Sequence, residues 1–301
     1  MLQHDWSGVF TAITTPFRDD RSVDHAFLAR HVTWLVDHGV RGIVPLGSLG
    51  EGAALSASEK VEVLATCREA TRGRVPLVAG IGTLSTIDAV ALARGAERVG
   101  CDGLMVLPPY VYRGDARETL AHLRAVIEAT PLSCMLYNNP IAYGTDITPR
   151  QLGDLAEHAN LHAVKESSGD IRRVTEIGER HGDRFRVFVG LDDAIVEGIA
   201  AGAVGWIAGL VNALPDESVQ LFELAMDGTA EEARELYHWF LPLLRLDTVP
   251  KFVQLIKLVQ QEVGMGSERV RPPRLELAGA ERDDALTLIR AQLAALPQRI
   301  V

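Results

Sequence analysis

The chain has 301 residues, 40 acidic against 30 basic, for a formal charge of −10, with 47% hydrophobic and 23% charged residues. This is the composition of a soluble globular protein with a sizeable core, and with no basic run or stripe to offset the acid it excludes nucleic acid as an expected partner. No stretch reaches the roughly 18 apolar residues of a membrane span, and the start, Met1-Leu2-Gln3-His4-Asp5-Trp6, lacks a basic region leading into an apolar one, so no membrane partner and a cytoplasmic location are expected.

In chain order, segments rich in Val, Ile and Leu alternate with amphipathic ones. Candidate strands are Val9 to Thr15, Gly42 to Ser48, Pro76 to Gly82, Gly103 to Pro109, Leu132 to Asn138, Leu161 to Ser167, Arg186 to Gly190 and Val204 to Leu210. Helical patterns follow, among them Val23 to His38, Ser56 to Thr71, Ser85 to Val99 and Thr148 to His158, with Ser56, Ser85 and Thr148 as cap residues. Strands without clean polar alternation are buried on both faces, the mark of a parallel sheet covered by helices. Eight such units over about 225 residues match a closed (β/α)8 TIM barrel. Doubly wound open sheets usually carry a glycine-rich phosphate loop after the first strand, where this chain has Thr14-Thr15-Pro16-Phe17.

From about Thr229 the strand signal stops, and helical patterns run through Ala230 to Leu246, Val249 to Val263 and Ala280 to Leu296. We therefore divide the chain into an α/β barrel over residues 1–225 and a small C-terminal extension of three helices, packed outside the barrel, over residues 226–301. Cys67, Cys101 and Cys134 are odd in number and lie in apolar contexts, which reads as reduced, buried thiols. There is no CxxC, HxH or HExxH spacing, so no metal site is expected.

The chemistry collects at the C-terminal ends of the strands, where such barrels carry their sites. The sixth strand reads Leu161-His162-Ala163-Val164-Lys165-Glu166 before the turn Ser167-Ser168-Gly169-Asp170. Alternation puts Lys165 on the same face as Leu161 and Ala163, which is inward. Burial disfavours an ammonium, and a lysine so tuned can attack a carbonyl and form a Schiff base. The alternative is that Lys165 snorkels to the rim or pairs with Glu166. The fifth strand ends Tyr137-Asn138-Asn139-Pro140, placing a phenol one βα unit, 28 residues, before Lys165. The second ends Gly47-Ser48-Leu49-Gly50-Glu51-Gly52, a turn whose backbone N–H groups can approach an anion with the Ser48 hydroxyl beside them. The fourth ends in Pro108-Pro109-Tyr110-Val111-Tyr112-Arg113, a rigid aromatic loop, and the eighth carries Gly205-Trp206-Ile207-Ala208-Gly209. After the seventh come the paired carboxylates Asp192 and Asp193, one of which reads best as a helix N-cap.

Taken together, the Gly47-to-Glu51, Tyr137-to-Pro140 and Lys165-to-Asp170 motifs closely resemble the dihydrodipicolinate synthase / N-acetylneuraminate lyase family, over nearly the whole chain. The resemblance implies a class I Schiff-base lyase or synthase, built as a tetramer (a dimer of dimers) and needing no cofactor. Its catalytic residues would be Lys165, forming an imine with C2 of a 2-oxo acid, Tyr137, moving protons, and Ser48, taking part in that relay. Gly47 and Leu49 would contribute to carboxylate binding, and Ile207 would place its backbone carbonyl beside the substrate.

Three positions depart from the family pattern. Ala142 stands where true synthases carry an arginine for the carboxylate of the aldehyde substrate, Val111 where a neighbouring subunit's tyrosine joins the relay, and Leu49 where a threonine would donate to the carboxylate. Among branches without that arginine the chain looks most like the hydroxyproline-pathway deaminases. Its points of likeness are Tyr137-Asn138-Asn139-Pro140, Gly190-Leu191-Asp192-Asp193, Leu243-Leu244-Arg245-Leu246-Asp247 and Arg271-Pro272-Pro273-Arg274. The expected activity is therefore 1-pyrroline-4-hydroxy-2-carboxylate deaminase, acting on a 2-oxo or cyclic imino acid. Behind it come an aldolase or dehydratase of a 2-keto-3-deoxy sugar acid or of 4-hydroxy-2-oxoglutarate, then 4-hydroxy-tetrahydrodipicolinate synthase. A non-catalytic 2-oxo acid binding protein would have no need of Ser48, Tyr137 and Lys165 together, and a metal hydrolase would need histidines where His162 alone stands, on the wrong strand face.

Overall fold

The computed structural model describes residues 1–228 and 230–296. Residues 229 and 297–301, which include the end of the expected C-terminal extension, lie outside the described residues. Eight strands form one parallel sheet: β1 Gly8–Ala12, β2 Gly42–Val44, β3 Val78–Ile81, β4 Gly103–Val106, β5 Ser133–Asn138, β6 Leu161–Glu166, β7 Arg186–Val189 and β8 Gly205–Ala208. Their order, β2-β1-β8-β7-β6-β5-β4-β3, becomes a ring because a parallel bridge joins Ile43 to Leu77 at the entrance to β3. The TIM barrel expected from the alternating pattern is thus present.

Most strands are shorter than the apolar runs that announced them, and the reason is local. β2 stops at Val44, short of the expected Ser48, because Leu46 turns into the left-handed region at φ 68° and ends the ladder. β8 gives way to a helical turn over Leu210–Asn212. The expected caps do their work: Ser56, Ser85 and Thr148 accept from the N–H groups of Glu59, Asp88 and Gln151. The helix after Thr148 is confined to Pro149–Leu152, followed by a 3-10 turn, instead of running to His158.

Near the start of the barrel an aromatic cluster fills the interior. Trp6, Phe10 and Phe188 are buried with ring centroids 5.3 to 6.1 Å apart, and the Trp6 indole donates to Ser133 Oγ at 2.7 Å. This end of the barrel is therefore a packed core. All three cysteines are buried, and burial pushes their thiols up. Among the described residues no helix is long and apolar enough to cross a membrane.

The C-terminal helices, Ala230–Leu244, Phe252–Glu262 and Gly279–Ala294, do more than pack outside the barrel. The link between the first two crosses the open mouth, so that Asp247, Thr248, Val249 and Pro250 line the cavity there. From the second, Lys257 reaches inward to Thr15 O at 2.8 Å and to the Glu51 carboxylate at 2.5 Å.

Candidate active site

At the C-terminal ends of the strands lies a cavity of about 760 Å³, lined by Gly47, Ser48, Leu49, Tyr137, Lys165 and Ile207 among others. All six residues singled out in the sequence therefore meet in one space. Lys165 is only 6% exposed, so the alternation reading placed it correctly and it does not snorkel to the rim. Nor does it pair with Glu166. That carboxylate, on the other strand face, accepts from Asn138 Nδ2 at 3.0 Å and the Ser168 N–H at 2.6 Å, and burial raises it above the usual carboxylate range. Lys165 and Tyr137 are register partners across β6 and β5, and the Lys165 nitrogen lies 4.2 Å from the centre of the Tyr137 ring. Parallel pairing of neighbouring strands is what turns 28 residues of sequence into one contact.

Asn139 organises the phenol. Its amide donates to the Tyr137 hydroxyl at 3.0 Å while its carbonyl oxygen accepts from the Ala142 N–H at 2.9 Å, capping the short helix Pro140–Tyr143. The Ser48 turn, in the same lining, is made possible by close backbone approach. A Cβ at Gly52 would lie 2.2 Å from the Leu46 carbonyl oxygen. The turn is tied down by Glu51, fully enclosed with Lys257 and also accepting from the Arg271 N–H at 3.0 Å. Among the described residues the N–H groups of Ser48 and Leu49 have no acceptor within the protein, which leaves them available to a carboxylate.

Two contributors escaped the sequence. Tyr143, at the end of the short helix, hydrogen-bonds Ser48 Oγ through its hydroxyl and stands edge-on to Tyr137, ring centroids 5.7 Å apart. Asp247 comes from the C-terminal segment. Its Oδ1 is buried without a partner, and burial together with Asp192 pushes its carboxyl well above the usual range, against the pull of Lys165. Asp247 belonged to a run noticed only as a likeness, and nothing in the local pattern put it 82 residues along the chain yet against the same cavity as Lys165. Asp192 is not a cap of its own helical turn. It accepts from the Trp206 indole at 3.0 Å and from the N–H groups of Gly209 and Leu210, stapling the end of β8, and burial raises it to about 6. Val111 is 71% exposed and lines no part of the cavity, and His162 bonds Ser133 Oγ at 2.6 Å on the other strand face.

Gly190, at the end of β7, keeps the space beside the lysine. A Cβ there would lie 1.9 Å from Ser167 Oγ and 2.6 Å from Lys165 Cε. Gly190→Ala is expected to displace the amine, slowing imine trapping by about tenfold or more and costing about 1–3 kcal/mol in urea titration. Trapping at the wild-type rate would show that the lysine does not depend on this gap.

An enclosed amine beside a phenol, at the open mouth of an eight-stranded parallel barrel, is the arrangement of a class I lyase, an enzyme that works through a Schiff base on lysine. Residues 5–292 match the model of the dihydrodipicolinate synthetase family, and the chain belongs to that family. It is 35% identical to a 4-hydroxy-tetrahydrodipicolinate synthase of Methanothrix thermoacetophila, covering 88% of this chain and 90% of that one. With the synthase of that name from Haloarcula marismortui it shares 33% identity over 98% of this chain and 95% of the other. Among solved structures, dihydrodipicolinate synthase from Aquifex aeolicus superposes with a TM-score of 0.91 at 28% identity, covering 98% of this chain and all (100%) of that one. The chloride-inhibited enzyme from Acinetobacter baumannii, complexed with pyruvate, gives 0.90 at 26% identity, covering 95% and 98%.

These relatives correct the expected activity. The deaminase reading rested on four short motifs, whereas identity of 33–35% over most of the chain lies with proteins named 4-hydroxy-tetrahydrodipicolinate synthase, the activity placed last among the enzymes. A short motif reports a local likeness on a shared barrel, and so it separates activities built on that barrel poorly.

Proposed function

We propose that this chain joins pyruvate, held as an imine on Lys165, to an amino-aldehyde, making 4-hydroxy-tetrahydrodipicolinate as its relatives' names imply. Breaking that product at its C=N bond and at the C–C bond beside its hydroxyl gives pyruvate and 2-amino-4-oxobutanoate. The observation that carries the reading is the direct pairing of Lys165 with Tyr137, amine over ring, in the cavity of about 760 Å³.

The steps follow from balance of atoms. As Lys165 condenses with C2 of pyruvate, its ammonium nitrogen gives up two protons, the ketone oxygen gains both and leaves as water, and the iminium keeps the positive charge. That charge is an electron sink, so C3 loses a proton and becomes an enamine carbon. The enamine attacks the aldehyde carbon, whose oxygen takes up a proton. Finally the substrate's own amine attacks C2, closes the ring and releases Lys165. In this scheme the pyruvate carboxylate sits on the Ser48 and Leu49 N–H groups and the Tyr137 hydroxyl moves the protons.

Recognition of the aldehyde differs from the pattern with an arginine. Ala142 lines the cavity, and among the described residues no arginine does. Asp193 and Glu197 line it as well, acidic groups suited to the ammonium group of 2-amino-4-oxobutanoate. Assembly as a dimer of dimers and a cytoplasmic location belong to the same reading, with the exposed Val111 and Tyr112 as surface for a neighbour.

The test is to incubate the purified protein with pyruvate and 2-amino-4-oxobutanoate and follow both by mass spectrometry. A product with the mass of the two less one water is expected, with 4-oxobutanoate, which lacks the amine, used at least about tenfold less efficiently. Pyruvate left unconsumed would overturn the reading.

A further inference from the structure

The proton transfers just described need a path, and the Tyr137 hydroxyl alone does not provide one. Two protons must travel from the lysine nitrogen to the departing oxygen, and another must leave C3 and later reach the aldehyde oxygen. Among the described residues no hydrogen bond joins Ser48 to the Tyr137 hydroxyl, which Asn139 holds, and a serine hydroxyl passes a proton on only if a second group takes it or supplies it. In this chain that group is Tyr143. Its hydroxyl is bonded to Ser48 Oγ, and its ring stands edge-on to Tyr137 at 5.7 Å, with Tyr110 packed on its outer side at 5.6 Å.

We propose that Tyr143 is the relay partner of Ser48, so that a phenol of the same chain completes the proton path of the imine chemistry. This inference rests on the reading of Lys165 as the imine-forming residue. It also removes the objection raised by Val111, which stands where the family pattern would have a tyrosine from a neighbour: the described path runs through one chain. Three features place Tyr143 for the task. Asn139 accepts from the Ala142 N–H and so starts the short helix that ends in Tyr143, while its amide holds the Tyr137 hydroxyl, so one asparagine sets both phenols. Gly144, at φ 69°, ends the helix immediately after Tyr143, and a Cβ there would lie 2.5 Å from the Arg113 guanidinium carbon. Burial, with Tyr137 next to it, pushes the Tyr143 phenol up, so it rests with its proton on and passes one only as it receives another from Ser48. Because it acts through Ser48, Tyr143 is a positioning and relay residue.

The experiment uses the full chain with pyruvate alone, so it needs no aldehyde substrate. Imine formation is timed by quenching with borohydride and weighing the intact protein, and C3 proton loss is followed as deuterium exchange of the pyruvate methyl group. Tyr143→Phe keeps the ring and removes only the hydroxyl. It is expected to lower the saturating rates of both processes by about 100-fold, with half-saturating pyruvate changed less than about threefold and the melting temperature nearly kept. Combined with Ser48→Ala, it should be no slower than the worse single variant, since two links of one path do not add. Rates for Tyr143→Phe within about twofold of wild type, or losses that multiply in the double variant, would overturn the relay while leaving the Schiff-base reading intact. A wild-type protein that forms no pyruvate adduct would overturn both.

Discussion

Lys165→Ala is expected to give no borohydride-trapped pyruvate adduct and to lower turnover by about 10⁴-fold or more, the size of loss seen when a covalent nucleophile is removed. The chain makes this test unusually discriminating. It has four lysines, Lys60, Lys165, Lys251 and Lys257. Only Lys165 and Lys257 are buried, and Lys257 is held by Glu51 and two backbone carbonyls, outside the cavity lining. An adduct that persisted in the variant would therefore have to sit on a partly or fully exposed amine, and the site described above would be the wrong one. Lys165→Met is the companion variant. It keeps most of the stem against the Tyr137 ring, so a loss of adduct with an unchanged urea midpoint separates missing chemistry from a damaged barrel.

The second large effect falls on stability. Glu51→Ala is expected to cost about 3–5 kcal/mol, because it leaves the Lys257 ammonium enclosed without its counter-charge. The carboxylate is fully buried, the lysine side chain is 2% exposed, and burial holds the lysine at about 8, below its ordinary value. Glu51 also adopts φ 52° and accepts from the Arg271 N–H, so one residue joins the Ser48 turn to the C-terminal segment. Imine formation should slow as well, since Ser48 lies three residues earlier in the same turn. Urea denaturation is the measurement, and the pair Glu51→Gln with Lys257→Met is expected to recover most of the loss by removing both charges together. A single variant that unfolds at the wild-type midpoint would mean that water reaches this pair and that the turn is held by its glycines instead.

Much of the site was legible because it depends on period and count. Alternation along Leu161-to-Glu166 put Lys165 inward, and a strand pair one βα unit apart put Tyr137 beside it. What the motifs could not do was choose among relatives with the same barrel and the same lysine, so four local likenesses pointed to a deaminase while identity along the whole chain pointed to the synthases. The C-terminal helices were also seen as helices, but the place of their connecting link at the cavity was not, because amphipathic periodicity tells which face is buried and says nothing of what a link will cover.

The division between the two kinds of information has a physical cause. By itself the sequence determined the parallel barrel, the inward lysine, the phenol beside it and the hydroxyl-bearing turn, since each follows from local periodicity or from the fixed geometry of neighbouring parallel strands. Only the tertiary structure decided that Tyr143 folds back onto Ser48 and that Asp247 closes the cavity from the C-terminal segment. Those contacts depend on a four-residue helix turning after Pro140 and on a link crossing the barrel mouth. Both are set by packing between parts of the chain that no residue-to-residue period connects.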